Sequence, residues 1–155
     1  MSTKKKANKA ASKRPAPKKP SPKKTAAPAP KKPAQSKLKT IVVAGGAGAM
    51  GRITVRDLVE TAPANIDIVI ADYNLEAARK LAASFTSRPV RALGLNIRDV
   101  KASAKALTGA FGVIGAVQHQ LNLPLMQACL AAGAHYCDLG GLFHVTRQQL
   151  ELAPE

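Results

Sequence analysis

A run of mostly β-branched apolar residues, Lys39-Thr40-Ile41-Val42-Val43-Ala44, leads directly into Gly45-Gly46-Ala47-Gly48-Ala49-Met50-Gly51-Arg52. Such a run reads as a buried strand, and the apolar-periodic segment after the glycines reads as a helix from about Ala49 to Thr61. Between strand and helix, Gly46 permits a tight turn and Gly48 lets a pyrophosphate approach bare backbone. Gly51 lets the helix pack close to the strand. The helix then presents its free N–H groups and positive end to the phosphates. Asp72, 21 positions after Gly51, closes the next apolar run, Ile66 to Ala71. A carboxylate at that strand tip can accept from a ribose hydroxyl. The pattern predicts a dinucleotide site formed by Gly46, Ala47, Gly48, Ala49, Met50, Gly51 and Asp72. The competing reading is a glycine-rich turn that binds nothing.

Beyond this unit, strand and helix signals alternate. Strands are expected at Ile66–Ala71, Val90–Leu95, Phe111–Val117 and Ala134–Leu139. The first helix is expected to bury Met50, Ile53 or Thr54, and Leu58. Asn74 can cap a second helix reaching about Phe85, with Glu76 in its first turn. Asp99 can cap a third that stops at Gly109, and Pro124 suits the first turn of a fourth that ends at Gly133. A fifth begins near Val145. Nearly all-apolar strands separated by helices predict an α/β fold, a doubly wound parallel sheet of Rossmann type with right-handed crossovers. Strand order 3-2-1-4-5 follows by analogy with that fold. Ala134–Leu139 would then be an edge strand, and Leu139, Leu142 and Phe143 are residues usually buried by a following element. The expectation is a marginally stable chain that pairs with a second copy or needs a missing C-terminal part.

Charge divides the chain. Residues 1–37 contain 13 Lys/Arg, no acid, seven of the 11 prolines and no glycine, whereas residues 40–155 contain ten Lys/Arg against nine Asp/Glu. The formal charge of +15 is therefore almost wholly that of the arm, Lys39 adding one, and residues 38–155 form a near-neutral domain large enough for one core. Lys, Pro, Ala and Ser bury too little apolar area to order a chain, so residues 1–37 are expected to be a disordered, polyproline-leaning arm. Its lysines can neutralise phosphates of nucleic acid or another polyanion. It offers no aromatic for base stacking. A solubilising extension, or a translation start nearer Leu38, is the alternative. No secretory core or membrane-spanning run is present. Cys129 and Cys137 suit neither a disulfide framework nor a zinc site, so a reducing cytoplasm is expected.

Gly45–Arg52, Ile70-Ala71-Asp72-Tyr73-Asn74-Leu75, Leu121-Asn122-Leu123-Pro124-Leu125-Met126-Gln127-Ala128 and Ala132–Gly141 together resemble the cofactor domain of the saccharopine dehydrogenase family. The resemblance spans about Leu38 to Glu151. It implies NAD(P)-dependent oxidoreduction of an amino-acid-type imine or secondary amine. In fuller members a second domain, inserted after the segment matching Asp138–Gly141, makes most substrate contacts. This chain ends at Glu155, where that domain would begin, so it is expected not to turn over an amino-acid substrate alone. It departs from the family at Gln118-His119-Gln120, where small or aromatic residues are usual.

Asp72 favours NAD slightly over NADP, because a 2′-phosphate would meet a second anion; Arg52 and Arg79 are candidate phosphate receptors. Asn96, ending the third strand, reads equally as an adenine contact or a helix-entry cap. His119 follows the fourth strand, where it can serve as a proton carrier or be a solvated loop residue. His135 and His144 flank Asp138 without a readable triad or metal geometry, and Cys137 reads as a small core residue. No catalytic residue or metal ligand is nominated. Three readings stay open: an oxidoreductase domain, a non-catalytic cofactor module tethered to nucleic acid, and a truncated fragment. For the arm, neutralising six phosphates gives a log–log salt slope of roughly −5 for duplex DNA binding. Deleting residues 1–37 should abolish that binding and leave cofactor affinity unchanged; an undiminished slope in the shortened domain would exclude the arm as the contact.

Overall fold

The β-branched runs fold as expected. In the computed structural model, which describes residues 38–152, they form one parallel sheet of β1 (Lys39–Ala44), β2 (Ile66–Asp72), β3 (Val90–Gly94), β4 (Gly112–Gly115) and β5 (His135–Asp138). The spatial order is β3-β2-β1-β4-β5. The basic arm, and the expectation that it is disordered, lies outside the described residues. Helices α1 (Ala49–Thr61), α2 (Leu75–Ala83), α3 (Val100–Leu107), α4 (Asn122–Ala132) and α5 (Phe143–Glu151) follow the strands in turn. Because β1 pairs with both β2 and β4, the chain reverses its direction of winding there. That places a crevice at the carboxyl ends of the central strands.

Alternation along the strands builds a core on each face. Val43, Ile68 and Ile70 are fully buried against Val55 and Ala78, the contributions of α1 and α2. Val42, Val69 and Val113 pack with Leu107, Leu125 and Cys129 of α3 and α4 on the other face. Each buried aliphatic side chain contributes about 1.5–3 kcal/mol, which outweighs the weak helix propensities involved. Local chemistry sets the ends. Asn74 Oδ1 accepts from the Ala77 N–H at 3.0 Å and Asp99 Oδ1 from the Ala102 N–H at 3.0 Å. Gly133 ends α4 in the left-handed conformation at φ +68°. Ser84 Oγ donates to the Leu81 carbonyl at 2.6 Å, closing α2 two residues before the expected Phe85. Strand β4 is shorter than the expected Phe111–Val117, although the Ala116 N–H still reaches the Ala44 carbonyl at 2.9 Å.

Two expectations about packing are corrected. The buried stripe of α1 is Gly51, Val55 and Val59, whereas Met50 and Ile53 are exposed. A Cβ on Gly51 would lie 2.1 Å from the Gly45 carbonyl oxygen, so this backbone-to-backbone contact sets the rotation of the helix and turns Met50 and Ile53 outward. Cys137 is exposed rather than a core residue. Tyr136 points into the α3–α4 core, and its neighbour therefore faces the opposite side, where α1 and α2 pack against β1–β3 and not β5. Strand β5 pairs only with β4 among the described residues, and Leu139, Leu142 and Phe143 next to it are exposed.

The α1–β2 connection depends on a residue that no local sequence signal marks. Arg88 Nη1 donates to the Ala62 carbonyl at 2.9 Å, and Nη2 donates to the carbonyls of Pro63 at 3.0 Å and Ile66 at 2.6 Å. One guanidinium thus satisfies the carbonyl end of α1 and its exit turn. Arg88→Met retains the aliphatic stem and strands these acceptors, so urea unfolding should show a loss of about 1–3 kcal/mol. An unchanged midpoint would show that water replaces the guanidinium without loss.

Candidate functional site

The carboxyl ends of four strands converge on a cavity of about 620 Å³. Gly45 and Gly48 line it from the turn after β1, Asp72 and Tyr73 from the end of β2, and Asn96 from the segment after β3. Val117 and Gln118 close the side beyond β4. The glycines of the turn differ in why they are glycine. Gly45 takes φ +74°, and a Cβ there would lie 2.6 Å from the Ala116 carbonyl oxygen. The left-handed position is thus Gly45, one residue before the Gly46 to which the sequence assigns the tight turn. Gly46 is buried, where a Cβ would press on Ile70 Cγ2 and the Val43 carbonyl oxygen, each at 2.9 Å. Gly51 is excluded from bearing a side chain by its contact with Gly45. Gly48 is unlike the others. Its φ of −71° suits any residue, and the nearest atom to an added Cβ is the Gly45 carbonyl oxygen at 3.2 Å. The fold therefore requires three of the four glycines, and the fourth leaves backbone bare beside the cavity.

Helix α1 starts with open donors. Its first helical hydrogen bond runs from the Arg52 N–H to the Gly48 carbonyl at 3.0 Å, so the amides of Ala49, Met50 and Gly51 precede it. Gly48, as N-cap, has no side chain to satisfy them. Unsatisfied amides at the positive end of a helix attract an anion.

Gly48, Asp72 and Asn96 line the cavity together, Gly46 and Gly51 are buried and do not line it, and Ala49 and Met50 are exposed on the first turn of α1. Ala47 lines a smaller cavity outside the turn with Arg52 and Lys80. The Asp72 carboxylate accepts from the Ala47 N–H at 3.1 Å through Oδ2 and from the Asn74 N–H at 3.0 Å through Oδ1. Asn96 Oδ1 accepts from the Arg98 N–H at 3.3 Å, and Asp99 rather than Asn96 caps α3. Arg79 is paired with Glu76 at 2.6 Å. Gly45, Tyr73 and Val117 join this wall without having been nominated as cofactor contacts, as does Gln118, marked in the sequence only as a departure from the family. Their signal was only positional, since each lies within a few residues of a strand's carboxyl end.

The three histidines do not converge. His135 stacks edge-on against Phe111 with ring centroids 5.0 Å apart, at the amino end of β5 and so at the opposite edge of the sheet. His119 and His144 line a separate cavity of about 350 Å³ beside α4. Among the described residues no group of three or more His, Cys, Asp or Glu converges as metal ligands. None of their helices is long and apolar enough to cross a membrane. Burial pushes the Cys129 thiol up to about 12 and also raises the Cys137 thiol, with the Asp138 charge adding to it. Neither is a thiolate near neutral pH.

Asp138 is held by three hydrogen bonds. It accepts from the Tyr136 hydroxyl at 2.8 Å, the Gly140 N–H at 2.8 Å and Gln149 Nε2 at 2.7 Å. Asn122 Nδ2 donates to the Gly140 carbonyl at 3.3 Å. These bonds latch α5 to the end of β5. Burial raises the Asp138 carboxyl, but the bonds from Gln149, Tyr136 and Gly140 outweigh it and hold the group below its ordinary value. Burial first, and then the bond to Asp138, raise the Tyr136 phenol.

The crevice at the reversal of strand order, the bare Gly48 and the open α1 amides define a dinucleotide-binding Rossmann domain. The model of the saccharopine dehydrogenase NADP-binding domain matches residues 41–155, and the chain belongs to that family. Comparison with curated proteins finds no significant match. Among solved structures, the fold is similar to the apo saccharopine dehydrogenase (L-Glu forming) of Saccharomyces cerevisiae. That match has a TM-score of 0.59 at 17% identity, over 71% of this chain and 23% of that one. A Rossmann-fold NAD(P)-binding family protein from Shigella flexneri matches at TM-score 0.56 and 12% identity, over 74% of this chain and 60% of that one. A dTDP-glucose 4,6-dehydratase from Streptomyces venezuelae with NAD bound matches at 0.50 and 24%, over 61% and 37%. The chain thus spans about a quarter of the yeast enzyme's length.

The Asp138 latch has a defined pH dependence. A carboxyl held low in the folded state contributes stability that is complete above its unfolded value, about 3.9, and is lost as pH falls through the folded value. The urea midpoint should therefore drop more between pH 6 and pH 3 in the wild type than in Asp138→Asn. Equal drops would mean that the latch adds no pH-dependent stability.

Proposed function

We propose that the domain holds NAD(H) or NADP(H) in the 620 Å³ cavity, as the cofactor half of an oxidoreductase acting on an amino-acid-type imine or secondary amine. The observation behind this is Gly48, a glycine that the backbone does not require, beside the open N-terminus of α1. The pyrophosphate would be held by the Gly46–Gly51 turn and the amides of Ala49, Met50 and Gly51. Asp72 would accept from the adenine ribose, with Asn96 and Tyr73 on the adenine side. When bound, the nicotinamide supplies the hydride acceptor or donor, and the chain's own groups orient it. Family membership supports the substrate class. NAD is favoured over NADP, because Asp72 would oppose a 2′-phosphate, while Arg79 is occupied by Glu76 and Arg52 by carbonyls of the turn.

A second reading concerns the arm. Thirteen Lys/Arg without an acid in residues 1–37 support attachment of the domain to nucleic acid or another polyanion. The cofactor module would then be tethered as well as, or instead of, catalytic.

Gly48→Val tests the cofactor site. The φ of −71° suits a side chain, and the added Cβ would press only on the Gly45 carbonyl oxygen at 3.2 Å, which a small shift relieves, so the circular dichroism spectrum should be unchanged. Titration calorimetry should show NAD(H) affinity falling by more than about 100-fold, equivalent to about 2.8 kcal/mol. Equal affinity in a folded variant would sink the site.

A further inference from the structure

The turn between β1 and α1 contains three glycines in four residues, the composition least able to hold one conformation. Its start is anchored by the N–H groups of Gly45 and Gly46, which donate to the Ala71 carbonyl at 2.8 and 3.2 Å. Its end is anchored by the Gly48 N–H on the Gly45 carbonyl at 3.0 Å. Ala47, in the middle, takes part in none of these main-chain bonds. Side chains hold it instead, and from opposite sides. Its N–H donates to Asp72 Oδ2 at 3.1 Å, and its carbonyl accepts from Arg52 Nη2 at 3.1 Å. The same guanidinium reaches the Gly48 carbonyl with Nε at 3.4 Å.

Resting on the cofactor reading above, we propose that Asp72 and Arg52 clamp the two peptide groups that flank Ala47, the first through its N–H and the second through its carbonyl, and thereby preset the phosphate-binding turn. Asp72 is then a positioning residue as well as the ribose acceptor, and Arg52 is a positioning residue rather than a 2′-phosphate receptor. Each of the two peptide groups flanking Ala47 is bonded to a glycine and can rotate about its flanking bonds. Turned over, the Gly46–Ala47 group would present a carbonyl dipole where an anion needs an amide. Asp72 holds the N–H of that group and Arg52 the carbonyl of the next, so less ordering remains to oppose binding. The second role of Asp72 does not exclude the first. A carboxylate oxygen has two lone-pair sites, so Oδ2 can accept from Ala47 and a hydroxyl together. The clamp therefore couples the ribose end of the site to the pyrophosphate end through one side chain.

Asp72→Ala, Arg52→Met and the wild type distinguish this from simpler roles. Calorimetry uses NAD⁺, NADP⁺ and an NAD⁺ analogue whose adenosine lacks both ribose hydroxyls, so that no ribose hydroxyl is left to reach Asp72. Asp72→Ala should weaken the analogue about three- to tenfold, the size of one or two net hydrogen bonds. Arg52→Met should weaken NAD⁺ and NADP⁺ by the same factor. An analogue affinity unchanged by Asp72→Ala would overturn the clamp, as would a loss in Arg52→Met confined to NADP⁺. Amide exchange on the ligand-free chain keeps the test independent of the cofactor reading. In both variants the Ala47 amide should exchange about tenfold faster or more, with Val43 unchanged, as expected when an opening loses about 1.4 kcal/mol of restraint. Unaltered Ala47 exchange would overturn the proposal even if the cofactor binds. A wild type that binds no dinucleotide but shows the exchange difference would overturn the cofactor reading alone.

Discussion

The contact between Gly51 and the backbone of Gly45 and Gly46 governs the arrangement of the rest. With no Cβ at Gly51, the first turn of α1 settles directly on the end of β1; any side chain would meet the Gly45 carbonyl oxygen at 2.1 Å. That approach sets the helix's rotation, and the rotation decides that Val55 and Val59 enter the core. It also holds the open amide end of α1 at the rim of the cavity, beside Gly48. Close backbone packing, core selection and an anion-attracting surface are therefore consequences of one missing methyl group.

Polar side chains do the remaining work at the ends of elements, and they do it across long sequence separations. Arg88 serves carbonyls more than 20 residues earlier, Asp72 holds the turn before α1, and Asp138 ties α5 to β5. Near the amino end of β2, Arg91 and Thr40 both bond to Asp67, and the Arg91 bond, the larger cause, holds its carboxyl below its ordinary value. Each of these groups satisfies backbone or a charge that a parallel sheet leaves at its margins. Asp138 is committed to its latch by three hydrogen bonds, and the sequence order His135-Asp138-His144 conceals a structure in which His135 lies at the amino end of β5, away from the cavity.

The comparisons and the geometry agree at the level of fold and cofactor class. The solved structures, all below 25% identity, share the Rossmann architecture, while the family model matches residues 41–155 and assigns the lineage. A saccharopine dehydrogenase and a dTDP-glucose 4,6-dehydratase are both among the similar folds. A shared fold of this kind leaves substrate to be decided by residues outside the cofactor crevice.

Much of this was legible in the sequence because its causes are local. Apolar runs marked the five strands, and apolar periodicity marked the first helix. Asn74, Asp99 and Gly133 marked ends through caps and a left-handed turn, and the glycine spacing marked the turn beside the cavity. What the sequence left open depended on atoms brought together from afar. Periodicity put Met50, Ile53 or Thr54, and Leu58 on one face, and of these Leu58 packs on the core while Met50 and Ile53 are exposed, since periodicity contains nothing of Gly51 pressing on Gly45. The alternation in β5 placed Cys137 correctly opposite Tyr136, but could not show that α1 and α2 do not pack on that face of the strand. Arg52 and Arg79 read alike as free cations, and only folding gave one the carbonyls of the turn and the other Glu76. Sequence by itself determined the strands, the helices between them and the bare backbone at Gly48, all set by residues near one another in the chain, whereas the strand order came by analogy with the fold and was supplied by the structure. Tertiary structure decided helix rotation, the engagement of Asp72 and Asp138, and the separation of the histidines, because those depend on distances that no linear spacing encodes.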